Sequence, residues 1–210
     1  MNRINHFTLK TVLVVGLFFL CLHASGATNA PVSLFDGKTL NGWVIENGGA
    51  FSVQQERIIL NRGTGWLRTE KCYGDFILTF DFRFLEKNAN SGIFVRTGPT
   101  SKKDQSGWPD NGYQIQCKDT IEEKRPLGIL LDYGAPPFKS TSDLEAITKA
   151  YRPTTQWNHY EICCKGEEMT VKLNGILITK ATDIKNKSGH IGIQGEKGLL
   201  EFRNIYVQLL

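Results

Sequence analysis

The stretch Asp75-Phe76-Ile77-Leu78-Thr79-Phe80-Asp81-Phe82-Arg83-Phe84-Leu85-Glu86 decides the fold class. Phe76, Leu78, Phe80, Phe82 and Phe84 alternate with Ile77, Thr79, Asp81, Arg83 and Leu85, a period of two rather than 3.6. A strand of this pattern buries one row of rings and turns an acid and a base toward water or a ligand. Half-buried antiparallel sheets are built from such strands, and their polar faces are the places to look for function.

Similar runs lie on both sides of it. Upstream, Val32 to Phe35, Phe51 to Val53, Arg57 to Asn61 and Trp66 to Thr69 read as short strands, with turn residues at Asp36-Gly37 and Asn41-Gly42. Downstream, the polar turn Lys87-Asn88-Ala89-Asn90 leads into a returning strand, Ser91 to Thr97. Gly112 to Lys118, Leu127 to Asp132, Trp157 to Lys165, Glu168 to Leu173, Ile176 to Thr179, Gly189 to Gln194 and Leu200 to Leu209 follow. Asn174-Gly175 carries the strongest short-range hairpin signal. Residues 98 to 111 read as an exposed loop holding one large apolar residue, Trp108. Gly134 to Arg152 reads as irregular, with a turn or two of helix over Asp143 to Ala150. About a dozen short strands imply an all-β fold, two antiparallel sheets stacked as a jelly-roll β-sandwich.

Composition agrees. A 210-residue chain that is 40% hydrophobic and 22% charged can bury one sizeable core, and its 21 glycines suit a fold made of turns. Arg3 and Lys10, the apolar run Thr11 to Leu22 and the small residues Ser25-Gly26-Ala27 predict an export signal over residues 1–27, leaving residues 28–210 as a single domain. The apolar run is shorter than the roughly 20 residues a membrane span needs, so no stable membrane anchor is expected, and the mature protein would be periplasmic or extracellular. Phe18-Phe19-Leu20 before Cys21 argues against lipoprotein processing. The mature chain carries 23 basic and 21 acidic residues, a balance that speaks against nucleic acid as a partner. Of the remaining Cys72, Cys117, Cys163 and Cys164, the adjacent pair points to opposite sheet faces and is not expected to bond to itself.

Candidate chemistry lies on two strands. In Gly112 to Lys118, Gln114, Gln116 and Lys118 share a face, with Asp119 at its end; in Ser91 to Thr97, Gly92, Phe94 and Arg96 share one. Amides and charges suit sugar hydroxyls, and a ring suits the C–H face of a pyranose. A solvated sheet face fits the same pattern. No strand alternates the carboxylates of two-carboxylate glycoside hydrolysis, and nucleophile-elbow, zincin and phosphate-loop motifs are missing. His159 and His190 read as packed or surface histidines.

Several blocks, taken in order, carry a resemblance: Leu34-Phe35-Asp36-Gly37-Lys38, Leu40-Asn41-Gly42-Trp43, Asn90 to Arg96, Gly112-Tyr113-Gln114-Ile115-Gln116, Trp157-Asn158, Leu173-Asn174-Gly175, Gly192-Ile193-Gln194 and Phe202-Arg203-Asn204-Ile205. Over residues 32 to 210 the chain resembles the 3-keto-disaccharide hydrolase family, also described as 3-keto-glucoside 1,2-lyase and 3-keto-2-hydroxy-glucal hydratase domains. The resemblance implies a concanavalin A-like jelly roll that acts on glycosides already oxidised at C3. It would abstract the C2 proton, expel the C1 oxygen by β-elimination, hydrate the resulting 3-keto-2-hydroxy-glucal, or do both. Such chemistry needs one base, and donors or a divalent metal ion for the enediolate oxygen. Which metal, and through which ligands, stays open.

By the same resemblance Asp119 and Glu196 are the expected catalytic bases. Arg96, Gln114, Gln116, Lys118, Asn90 and Trp108 form the expected substrate-binding set, Trp108 either capping the pocket or packing beneath its own loop, and Arg203 and Asn204 are either site residues or a structural pair beside an inward-facing Phe202. Gln114 departs from the pattern, since many similar sequences carry Glu there, and Leu131 departs where Tyr is frequent. A neutral amide at 114 cannot accept a proton, which keeps a non-catalytic, lectin-like carbohydrate-binding module as the alternative and a protein-binding scaffold as a third reading.

Overall fold

The computed structural model describes residues 29–104, 106–121 and 124–210. The expected leader, with Cys21, lies outside the described residues. Fifteen strands and one short helix follow in order: β1 (Val32–Ser33), β2 (Trp43–Glu46), β3 (Phe51–Gln54), β4 (Arg57–Asn61), β5 (Trp66–Thr69), β6 (Phe76–Phe84), β7 (Asn90–Thr97), β8 (Tyr113–Lys118), β9 (Leu130–Asp132), β10 (Lys139–Ser142), α1 (Leu144–Ala150), β11 (Asn158–Lys165), β12 (Glu168–Leu173), β13 (Ile176–Thr182), β14 (His190–Gln194) and β15 (Leu199–Leu209).

They form two antiparallel sheets. The larger has nine strands in the order β10-β13-β12-β11-β6-β15-β4-β3, with β1 paired to β15; the smaller has six in the order β2-β5-β14-β7-β8-β9. This is the two-sheet jelly-roll sandwich expected from the alternation. β6 lies between β11 and β15, and its Phe76, Leu78, Phe80, Phe82 and Phe84 are all buried. Across from them the small sheet contributes Leu67, Ile93, Tyr113, Ile115, Ile191 and Ile193 to the same core. Each such side chain contributes on the order of 1.5–3 kcal/mol by leaving water. Asn174 and Gly175 close the β12–β13 hairpin with φ of 50° and 84°, the left-handed pair that a tight two-residue turn requires.

The polar face of β6 is engaged by other side chains. Asp81 binds His159 Nδ1 and Asn204 Nδ2, each at 2.8 Å, and Arg203 Nε at 3.3 Å. Arg83 pairs with Glu201 at 2.5 Å, and the guanidinium carbons of Arg83 and Arg203 lie 4.6 and 3.9 Å from the Trp157 ring centroid. Arg203 and Asn204 therefore belong to the outer face of the large sheet.

Two expectations change. The segment from Gly134 to Arg152 is not wholly irregular, because Lys139-Ser140-Thr141-Ser142 forms edge strand β10 on β13. With no apolar residue in it, its strand character comes from the partner's backbone. The helix does form, with the Asp143 carboxylate accepting from the Ala146 N–H at 2.9 Å at its N-cap. Second, β7 is not a regular strand. Phe94 pairs with Gly192 and Thr97 with His190, so Val95 and Arg96 together oppose Ile191 in a β-bulge, and Arg96 takes φ 47°. Cys72, Cys117, Cys163 and Cys164 are all free thiols.

Candidate functional site

The outer face of the small sheet carries the polar groups. Gln114, Gln116 and Lys118 stand on β8, Asn90 and Phe94 on β7, Gln194 on β14 and Trp66 on β5. Two glycines let long side chains lie flat across it. A Cβ at Gly92 would sit 1.6 Å from Gln114 Nε2, and one at Gly192 would sit 2.6 Å from the Trp66 ring. Gln114 thus crosses Gly92 and donates to Gln194 Oε1 at 2.6 Å, and Gln194 Nε2 donates to the Tyr133 hydroxyl at 3.3 Å.

The described parts of the loop, residues 98–104 and 106–111, are tied down over this face. Trp108 Nε1 donates to the Gly195 carbonyl at 2.8 Å, Asn47 Nδ2 binds Ser101 Oγ and the Gly107 carbonyl at 2.7 Å each, and Gly65 N–H donates to the Ser106 carbonyl at 2.8 Å. Trp66, Phe94 and Tyr133, with Trp108 of the loop, form an edge-to-face series with centroid separations of 5.6, 5.1 and 5.9 Å.

A pocket of about 350 Å³ remains beside the loop. Trp108, Tyr133 and Leu131 supply its apolar wall, Asn90 and Gln116 its amides, Lys118, Lys124 and Arg125 its cations, and Glu196 its carboxylate. Among the described lining residues Glu196 is the one acid. Its loop is fixed by reciprocal backbone bonds between Asn90 and Lys197, at 2.7 and 3.0 Å, and by Gly195 N–H to the Gly65 carbonyl at 2.8 Å. Burial lifts the Glu196 carboxyl above its ordinary 4.5, while a hydrogen bond from Asn90 and the charges of Lys118 and Lys197 partly oppose the rise. A carboxylate in this setting is a stronger base than one in water.

Five expected residues thus come together: Asn90, Trp108, Gln116, Lys118 and Glu196. Gln114 sits one layer lower, only 1% exposed, with its Oε1 buried and without a hydrogen-bond partner. The placement of Arg96 is corrected. The bulge turns it off the face it was expected to share with Phe94, and it is fully buried, donating to the carbonyls of Gly74 (2.9 Å), Gly166 (2.7 Å) and Asn186 (3.1 Å) and to Asp75 (2.8 Å). Asp119 is also corrected. Its two oxygens accept from the Tyr151 and Thr154 hydroxyls at 2.5 Å each, so it ties the end of β8 to the chain after α1 instead of lining the pocket.

Sequence reasoning passed over Tyr133, Gln194, Lys124 and Arg125. Tyr133 could have been found from Leu131, since residues two apart share a strand face, and Gln194 from its alternation with Gly192. Lys124 and Arg125 lie in a turn and carry no periodic signal. For a divalent cation the fit is poor: among the described residues no three His, Cys, Asp or Glu side chains converge, and one carboxylate among cations is a thin oxygen set for a hard ion. Among the described residues no helix is long and apolar enough to cross a membrane.

Residues 30–208 match the family described as the 3-keto-alpha-glucoside-1,2-lyase-like domain. No curated protein matches the chain. Among solved structures, two candidate glycosyl hydrolases from Parabacteroides distasonis ATCC 8503 superpose with TM-scores of 0.62 each. One is 20% identical, with 86% of this chain and 94% of that one covered; the other is 24% identical, with 87% and 100% covered. The carbohydrate-binding module CBM66 from Bacillus subtilis gives a TM-score of 0.55 at 16% identity, with 80% and 95% covered. At these identities the structural likeness is one of fold, the concanavalin A-like sandwich.

Proposed function

We propose, from the premise that the chain belongs to the 3-keto-alpha-glucoside-1,2-lyase-like domain family, that it is an exported enzyme that cleaves glycosides oxidised at C3, with Glu196 as the base. Membership makes the protein carbohydrate-active in class; the 3-keto reaction is our reading of the pocket. One observation carries it: among the described lining residues a single half-buried carboxylate of raised basicity stands among amides and cations. Acid-base hydrolysis of an unactivated glycoside uses two carboxyl groups across the bond. A C3 ketone removes that need, because it acidifies the C2–H and lets one base start an elimination.

In this reading Glu196 takes the C2 proton while Lys118, Lys124 and Arg125 surround the site with positive charge that favours the enediolate. Asn90 and Gln116 hold hydroxyls, and Trp108 offers its ring to the sugar's C–H face. The glycosidic oxygen leaves, and the 3-keto-2-hydroxy-glucal can then take up water in the same pocket. The test is to incubate the mature protein with a 3-keto-glucoside in D2O. Aglycone release, with deuterium at C2 of the hydrated 3-keto sugar or of recovered substrate, both abolished by Glu196→Gln, is the expected result. The buried neutral pair Gln114–Gln194 favours a second reading, carbohydrate binding without turnover. Saturable binding of the same glycoside with no release and no exchange would establish that reading and overturn ours.

A further inference from the structure

The phenol of Tyr133 is the pocket group that the reaction above leaves unused. Its backbone is fixed from both sides, as the Tyr133 N–H donates to the Gly112 carbonyl at 3.0 Å and the Tyr133 carbonyl accepts from the Gly112 N–H at 3.1 Å. Its ring stands edge to face with Phe94 and Trp108, and the Lys102 ammonium lies 4.5 Å from its centroid. A side chain held this way has little freedom left to lose when a ligand arrives, which is the condition for a well-placed catalytic group.

The hydroxyl has a defined polarity. Gln114 donates to Gln194, and Gln194 in turn donates to the Tyr133 oxygen. The oxygen is therefore the acceptor in that bond, and its own proton is free for an acceptor in the pocket. Glu196 lines the same pocket and is close enough for its charge to act on the phenol. A base and a proton donor thus line one pocket.

We propose that Tyr133 delivers the proton to the departing glycosidic oxygen, acting with Glu196 as an acid-base pair. This rests on the elimination reading above. Glu196 takes the C2 proton, and the C–H electron pair, held first as the enolate of the C3 ketone, becomes the C1=C2 bond. The C1–O bond breaks with its pair going to oxygen, and the Tyr133 proton joins that oxygen. An alcohol and a 3-keto-2-hydroxy-glucal leave, and Tyr133 regains a proton from the Glu196 carboxyl through solvent. Nothing is oxidised or reduced beyond the substrate's internal rearrangement. Burial, with the Glu196 and Asp104 charges, holds the phenol above its ordinary range, while the Gln194 hydrogen bond and Arg125 oppose the rise, so Tyr133 enters the cycle protonated.

The experiment compares 3-keto-glucosides with 4-nitrophenyl and with methyl aglycones. A nitrophenolate leaves without help; a methoxide does not. Tyr133→Phe, which keeps the ring packing, should lower kcat/KM about 10²- to 10³-fold for the methyl glycoside and less than about fivefold for the nitrophenyl one. Equal losses on both, with the thermal midpoint unchanged, would reduce Tyr133 to a packing residue and overturn the proposal while leaving elimination intact. Should the wild type release neither aglycone, the elimination reading itself fails, and this inference with it. As a second readout, replacing tyrosine by 3-fluorotyrosine should move the alkaline limb of the methyl-glycoside pH profile downward, and an unmoved limb would also count against Tyr133.

Discussion

Replacing Arg96 with Met is expected to unfold the protein early without touching the pocket around Glu196. The guanidinium is fully buried and donates four hydrogen bonds, three to main-chain carbonyls at 2.7 to 3.1 Å and one to Asp75 at 2.8 Å. Charged hydrogen bonds contribute about 1.5–3 kcal/mol each, so adding four would give an upper bound near 12 kcal/mol. That bound is too large, because Asp75 is 42% exposed and can turn to water, and Met regains part of the buried apolar area. The three main-chain carbonyls left without a donor cost about 1–3 kcal/mol each, and with the apolar area that Met regains the net loss is about 3–5 kcal/mol. A domain of this size loses about 2–4 °C of midpoint per kcal/mol, so Tm should fall by roughly 6–20 °C. Urea unfolding followed by fluorescence should show a lower midpoint at unchanged slope, with Arg96→Lys in between, since an ammonium cannot reproduce the fork. A Tm within about 2 °C of wild type, or a stable variant whose KM rises, would refute the assignment of Arg96 to the scaffold.

Glu196→Gln should cut kcat on a 3-keto-glucoside by about 10²- to 10⁴-fold and remove the acid limb of the pH-rate profile. In the wild type that limb should lie above 4.5, because burial raises the Glu196 pKa and the base works only after losing its proton, so activity climbs as pH rises through the raised value. Gly92→Ala places a Cβ 1.6 Å from Gln114 Nε2 and should destabilise by about 1–3 kcal/mol; in a Gln114→Ala background most of that loss should vanish in a double-mutant cycle of denaturation midpoints. Asp119→Ala leaves the Tyr151 and Thr154 hydroxyls without their acceptor and should cost about 1–3 kcal/mol of stability, while turnover measured well below the midpoint stays within about threefold of wild type.

The fold was readable because its deciding strand obeys a simple rule. Five buried side chains at every second position of β6 leave no helical alternative, and Asn174-Gly175 announces its hairpin through the left-handed backbone it needs. The face of β8 was also readable, since Gln116 and Lys118 do line the pocket. Arg96 was misplaced because alternation assumes an unbroken count, and no residue type in Ile93-Phe94-Val95-Arg96 marks the bulge. Strand β10 was hidden for a different reason: Lys139-Ser140-Thr141-Ser142 buries almost nothing, so its hydrogen bonds to β13 are its evidence. Tyr133 and Glu196 reach one pocket through loops whose landing points depend on contacts with Gly112, Asn90 and Gly65, pairings remote in sequence that no local pattern encodes.

The extra residue in β7 also governs where the loop at 98–111 comes down. Val95 and Arg96 facing Ile191 make the strand's count odd, so the chain leaves Thr97 with its parity reversed and heads for Asn47, Gly65 and Gly195. Deleting one residue at this point would slip the strand's exit by a step and pull Ser101, Ser106 and Trp108 together away from their anchors on Asn47, Gly65 and Gly195. Length at the kink, more than chemistry along the loop, sets the roof of the chamber.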